Sequence, residues 1–239
     1  MANYILLVFE GEKTERKIFE AIQGHYFSDS VNTILKAVYC TDIYNLYGKL
    51  EDDPYLDVFE IIKEKQKNSA ELDGIVRENV SEVFLFFDYD GHASAASDDK
   101  LIELLQYFDE ETENGKLYIS YPMVESIKHL KDGVSFHDVV VPAKENIRYK
   151  HHVSINCDRH LVDICSIEKH VWGFVFSQHC KKASYIVASE FVLPGGVIEQ
   201  SEIFSAQLSA YIFPYERVAV LSAFPLFVAD YFGYEYLDL

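Results

Sequence analysis

The chain is predicted to be α/β, with a parallel, Rossmann-like sheet over residues 1–130 and a mostly helical extension over residues 131–239. Three observations carry this expectation. Unbroken apolar runs recur along the first half, as strands buried on both faces require. Helical periodicity fills the intervals between them. The first and third runs break off directly into carboxylates, and the fourth into proline, residues that turn a chain at the carboxyl edge of a sheet.

The first run, residues 4–9, ends at Glu10 and Gly11. A helix follows from Thr14, because Ile18, Phe19, Ile22 and Tyr26 recur at helical spacing and Glu15 and Glu20 lie near its start, where a helix favours negative charge. "TILKAVY", residues 33–39, is a second strand, followed by acidic, helix-prone sequence as far as "PYLDVFEIIKEKQK". "VFLFF", residues 83–87, is a third strand that runs directly into Asp88. Residues 99–113 read as a helix with Leu101, Leu104, Leu105 and Phe108 on one stripe, stopped by Asn114-Gly115. "KLYISYP" is a fourth strand. Beyond residue 131 the sequence turns basic and His-rich, then aromatic and helix-leaning, as in "FSAQLSAYIF" and "YERVAVLSAFPLFVADYF".

With 239 residues, 49% of them hydrophobic, the chain can bury a large core. It contains no apolar stretch long enough to cross a membrane and starts without a basic flank or cleavage signal, so a cytoplasmic, membrane-free protein is expected. Cys40, Cys157, Cys165 and Cys180 are too scattered for a disulfide scaffold. A net charge of −18 argues against indiscriminate binding to nucleic acid, which rests on many Lys and Arg contacts to phosphates. Residues 144–182 depart from that balance, with seven Lys and Arg against four Asp and Glu, and with five of the nine histidines. They form either an ordinary basic surface or a wall for phosphates, Lys144, Arg148 and Lys150 being the candidates.

The chemistry is concentrated in "VFLFFDYDGH". Period-two geometry directs Asp88 and Asp90 to one side, with Cβ atoms roughly 6 to 7 Å apart. Like charges so close raise each other's proton affinity unless a cation intervenes, and Mg²⁺, or Mn²⁺, suits oxygen ligands. A solvated Asp-Gly turn is the plainer alternative. If the first and third strands are neighbours, Glu10 joins the two aspartates as a third carboxylate; Glu15 can point back to the same place, and Glu12 is expected in solvent.

"VFEGEKTE" resembles the first motif, and "FDYDG" the DxD motif, of Toprim domains, the Mg²⁺-binding catalytic fold of topoisomerases, bacterial primases and OLD-family nucleases. With "SYPMVESIKHL", the chain is most similar to the small single-Toprim proteins of RloB type, associated with antiphage defence and encoded beside a P-loop ATPase; it also resembles the Toprim effectors of PARIS systems, which cut transfer RNA. The resemblance covers residues 4–130. It implies a nuclease in which Glu10 acts on the reacting phosphate or binds metal, Asp88 and Asp90 hold Mg²⁺, Glu15 is a second-metal ligand and Glu125 completes the site or caps a helix. His92 either touches a phosphate or is a surface histidine. It also implies a nucleic-acid substrate and an ATPase partner. Lacking a second DxD element and a primase zinc module, the chain departs from strand-passing and primer-making relatives, which leaves hydrolysis.

Other readings compete. "FFDYDGH" also looks like the DxDG of haloacid-dehalogenase phosphatases, with Asp88 as nucleophile, but His92 stands where that motif carries Thr, and the motif belongs on a first strand. A non-catalytic acidic subunit or nucleic-acid mimic would use the carboxylates only as charge. Cys157, His160, Cys165, His179 and Cys180 match no standard zinc spacing, and the Pro194-Gly195-Gly196 turn lacks the Lys and Ser/Thr of a phosphate loop. The aromatics of the last third, including Trp172, Tyr211, Phe213, Tyr215 and Phe232, are expected in the core, some in a homo-oligomer or partner interface.

Overall fold

The computed structural model describes residues 3–27, 33–53, 55 and 57–237. It divides into two compact units, residues 1–87 with 97–117 and residues 88–96 with 118–239. The division therefore comes before residue 130 and assigns the Asp88 loop to the second unit.

The first unit is α/β. Its elements are β1 (Asn3–Phe9), α1 (Thr14–Tyr26), β2 (Thr33–Tyr39), α2 (Ile43–Asp52), α3 (Val58–Lys63), β3 (Val80–Asp88), α4 (Asp98–Tyr107), β4 (Asp109–Glu110) and β5 (Gly115–Ser120), of which Asp88 and Tyr118 to Ser120 are counted with the second unit. The strand order is β2-β1-β3-β5-β4. β1 runs parallel to β2 on one side and to β3 on the other, Phe9 lying opposite Tyr39 and Phe86. Ile5 to Phe9 are buried because both faces of this central strand are covered. Ile18, Phe19 and Ile22 of α1 are buried, and the Phe9 ring lies 6.0 Å from Phe19 and 5.4 Å from Phe86. Asp42, Asp57 and Ser97 cap α2, α3 and α4 by accepting from Asn45, Phe59 and Lys100 amides. Asn68 closes the end of edge strand β2, accepting from Tyr39 N at 2.9 Å and donating to Tyr39 O at 2.8 Å.

The helix expected over residues 99–113 ends at Tyr107. Residues 109–110 pair antiparallel with β5 instead, and Gly115 takes the positive φ of 113° that this return demands.

The second unit contains β6 (Val140–Pro142), α5 (Tyr149–Asn156), α6 (Lys169–Ala188), α7 (Gln200–Gln207), a π turn over Leu208–Ile212, α8 (Phe213–Tyr215), β7 (Arg217–Ala219) and α9 (Ala223–Phe232). β6 and β7 pair antiparallel, so part of the expected C-terminal helix is a strand. Gln207 fixes it there: its side chain donates to Ala219 O at 2.8 Å and accepts from Ala219 N at 2.9 Å. Trp172 is buried as expected, whereas Phe213 and Tyr215 are exposed; they follow the π turn, whose extra residue rotates the helical face. Among the described residues, no helix is long and apolar enough to cross a membrane.

Buried polar anchors hold this unit together. Lys182 lies wholly inside and donates to the carbonyls of Phe136, His137 and Val139 at 2.9, 2.6 and 3.1 Å. It therefore serves the fold and not the expected phosphate wall. Burial pushes its ammonium down to about 7, against which the three acceptors favour the charged form. His179 accepts from Ser222 N at 3.1 Å and stands 3.3 Å from Ile127 O, so its Nε2 carries the proton.

Burial lowers His179 to about 3 and His129 to about 4, so both are neutral in the folded chain. Below pH 6.5 the unfolded chain takes up protons that the folded chain refuses, and stability falls as pH falls. Urea unfolding at pH 5 is expected to give a free energy lower than at pH 7.5 by about 2 kcal/mol per histidine, and His129→Gln should flatten the dependence. Equal stability at the two pH values would contradict this.

Candidate functional site

β3 delivers Asp88, 8% exposed, as its last residue. The chain beyond it is zipped onto the segment after β5: Tyr89 N donates to Ser120 O at 3.0 Å and Asp90 N to Pro122 O at 3.2 Å. Asp90 adopts a left-handed φ of 41°. Strand alternation thus stops at Asp88, and a turn, not the period-two geometry expected from the sequence, sets the direction of Asp90. Gly91 makes the turn possible by its size, since a Cβ there would lie 2.5 Å from the Tyr89 ring and 2.7 Å from Ala143 O.

Glu125 sits in a short 3₁₀ helix over Val124–Lys128. Ser126 Oγ donates to Leu221 O at 3.0 Å, and His179 meets Ile127 O, so the helix cannot rotate to release its side chains. Glu125 is 3% exposed. Its Oε1 lies 3.5 Å from Lys150 Nζ, whose side chain is mostly in solvent, and its Oε2 has no hydrogen-bond partner among the described residues. Asp90 Oδ1 is also buried without a hydrogen bond; His92 Nδ1 approaches it to 2.8 Å but from the wrong direction. Tyr149 completes the cluster, its hydroxyl 3.0 Å from His129 Nδ1. Burial first, then the fields of Glu125 and Asp88, push this phenol well above its ordinary range, so it stays a neutral donor.

Asp90, His92, Tyr149 and Lys150, the partner of Glu125, line a cavity of about 630 Å³. Asp90, His92, Lys128, Glu145, Asn146, Arg148, Lys150, His151 and Ser154 give its polar lining. Pro122, Met123, Pro142, Ala143 and Ile147 give an apolar wall, and Tyr149 stands among them. Of the residues expected to meet phosphate, His92, Arg148 and Lys150 line this cavity, while Lys144 is exposed and outside the lining. Lys128, His129 and Tyr149 were not singled out from the sequence, and His151 only as one of the histidines of residues 144–182. Lys128 and His129 follow Glu125 at spacings of three and four within "VESIKHL", which places them about one turn apart.

Glu10 and Glu15 belong to the first unit. Glu10 follows β1, whose neighbour is indeed β3. Glu15 Oε1 accepts from Gly11 N at 2.9 Å, folding back over the turn as an N-terminal cap does. Glu12 is paired at the surface with Lys67 at 2.8 Å. Among the described residues, no three His, Cys, Asp or Glu side chains stand together in a preformed metal cage. The chain matches no family model, no curated protein and no solved structure.

The tight approach of Gly91 is open to test. Gly91→Ala drives a methyl into backbone as well as ring, and overpacking of this kind costs about 1 to 3 kcal/mol. Urea unfolding should record that loss; a variant as stable as the parent would show that the loop and residue 143 are not in contact.

Proposed function

We propose that this protein is a Mg²⁺- or Mn²⁺-dependent phosphodiester hydrolase acting on nucleic acid. The observation that carries the reading is a cavity bordered by cationic side chains and by Asp90, next to a buried Glu125 whose Oε2 is unsatisfied. Two buried carboxylate oxygens without hydrogen-bond donors are hard, anionic ligands, which fits a small divalent cation. Mg²⁺ needs only one or two protein carboxylates, since it keeps waters and takes substrate phosphate oxygens, so a three-residue cage is not required. Asp90 and Glu125, whose unsatisfied oxygens carry the reading, would hold it, with Asp88 two residues before Asp90 at the end of β3, and bound there it would neutralise phosphate charge and lower the proton affinity of a water.

The chain's own residues supply the rest. Lys128, Arg148 and Lys150 bind and orient the phosphodiester backbone, Arg148 through a fork that matches phosphate oxygens. Tyr149, held by a neutral His129, offers a hydrogen bond from a phenol that does not ionise. Pro122 and Met123 keep bulk water from one side. The Toprim resemblance adds Glu10, a role in antiphage defence and a P-loop ATPase partner, each a proposal in its own right. The net charge of −18 argues against indiscriminate binding to nucleic acid and agrees with recognition confined to a local site such as this cavity.

Incubation with plasmid DNA and with transfer RNA in Mg²⁺, with and without any P-loop ATPase found encoded alongside, tests the reading. Cleavage is expected, and Asp88→Ala and Asp90→Ala should each reduce it at least 100-fold with an unchanged circular dichroism spectrum; Glu10→Ala tests that residue separately. Full cleavage by both aspartate variants would remove the proposal.

A further inference from the structure

Phosphate chemistry leaves part of the cavity unexplained. Coordination and charge neutralisation use Asp90, Lys128, Arg148 and Lys150, yet the same space is also lined by the apolar side chains of Pro122, Met123, Pro142, Ala143 and Ile147. A phosphate gains nothing from that apolar lining. A volume of about 630 Å³ also exceeds what a phosphate needs and falls in the range, roughly 300 to 1,000 Å³, of pockets that enclose an organic ligand. Cationic and apolar side chains lining one space match a ligand that is itself of two kinds, with a flat π-face and an anionic tail.

We infer that this cavity is a seat for one unstacked nucleotide, its base laid on the Pro122, Met123 and Ile147 wall and its phosphate on Lys128, Arg148 and Lys150. A base inside a duplex has both faces covered by its neighbours, and extracting it costs a few kcal/mol, whereas a single strand or loop presents it freely. The substrate class is therefore single-stranded or looped nucleic acid, in preference to intact duplex. A free nucleotide carries the same chemistry and is the second source of such a ligand. The assignment to substrate rests on the hydrolase reading; the nucleotide seat itself does not.

Binding without cleavage separates the two. Fluorescence anisotropy in EDTA would compare the full chain with a labelled 12-nucleotide single strand and with the same sequence as a blunt duplex. The single strand is expected to bind at least tenfold more tightly. Ile147→Asp, at a partly exposed position, should weaken that binding about tenfold, and Lys150→Ala should weaken it and make it less sensitive to salt. Thermal melting checks that both variants fold. Competition with AMP assigns the source: displacement of the strand by micromolar AMP makes the ligand a free nucleotide, and resistance makes it a nucleic-acid strand, either of which upholds the seat. Equal or tighter duplex binding, or an Ile147→Asp variant that binds like the parent, would overturn it. Cleavage of duplex with such a result would retire the seat and spare the hydrolase; single-strand binding without any cleavage would do the reverse.

Discussion

A carboxylate held out of water without enough donors is the constraint on which the second unit turns. Removing an ionised group from water costs several kcal/mol unless charge and hydrogen bonds replace the lost hydration. Around Glu125 that replacement is thin. Lys150 approaches one oxygen at 3.5 Å from a largely solvated position, and the other oxygen has no hydrogen-bond donor among the described residues. The nearby phenol is neutral, and so is the imidazole behind it. The backbone under Glu125 is meanwhile pinned from two directions, through Ser126 and Ile127. The fold thus fixes a costly group in place, a pattern expected where a binding site requires it.

The same anchors shape the cavity. Lys182 gathers three carbonyls of the segment entering β6, and Gln207 secures β7, the strand with which β6 pairs. Pro142 and Ala143, at the end of β6, form part of the apolar lining, and the Gly91 turn packs closely against the Ala143 carbonyl. Buried cation, buried amide and the carboxylate loop therefore belong to one mechanical chain, from core helix α6 to the rim where Asp90 sits. This is why a lysine in a basic stretch of sequence belongs to the interior and not to the phosphate-facing surface.

The sheet was legible because apolar runs buried on both faces have few alternatives: residues 4–9, 33–39 and 83–87 all became strands of one mostly parallel sheet. The Glu10 and Asp88 positions at strand ends followed directly. The loop after Asp88 lines the cavity through Asp90 and His92, but the direction of Asp90 depends on a left-handed φ that alternation cannot anticipate. β4 was hidden within a helical stripe because its two residues gain their conformation only from pairing with β5. The β6–β7 pair joins segments more than seventy residues apart, and such pairing leaves no local periodicity. Tyr149 and His129 escaped notice for a similar reason: their contact is tertiary, and a lone tyrosine at a helix start looks like any core aromatic.

The claim at the centre is that the unsatisfied carboxylate oxygens await a divalent cation, and thermal melting with and without Mg²⁺ tests it most directly. Glu125→Gln keeps the side chain's shape and removes its charge. In EDTA the variant is expected to melt above the parent, because it no longer buries an undercompensated ion. Mg²⁺ at about 100 times its dissociation constant should stabilise the parent by about 2.7 kcal/mol and the variant by clearly less. Equal Mg²⁺ shifts in the two proteins, or a variant that melts below the parent in EDTA, would contradict the account.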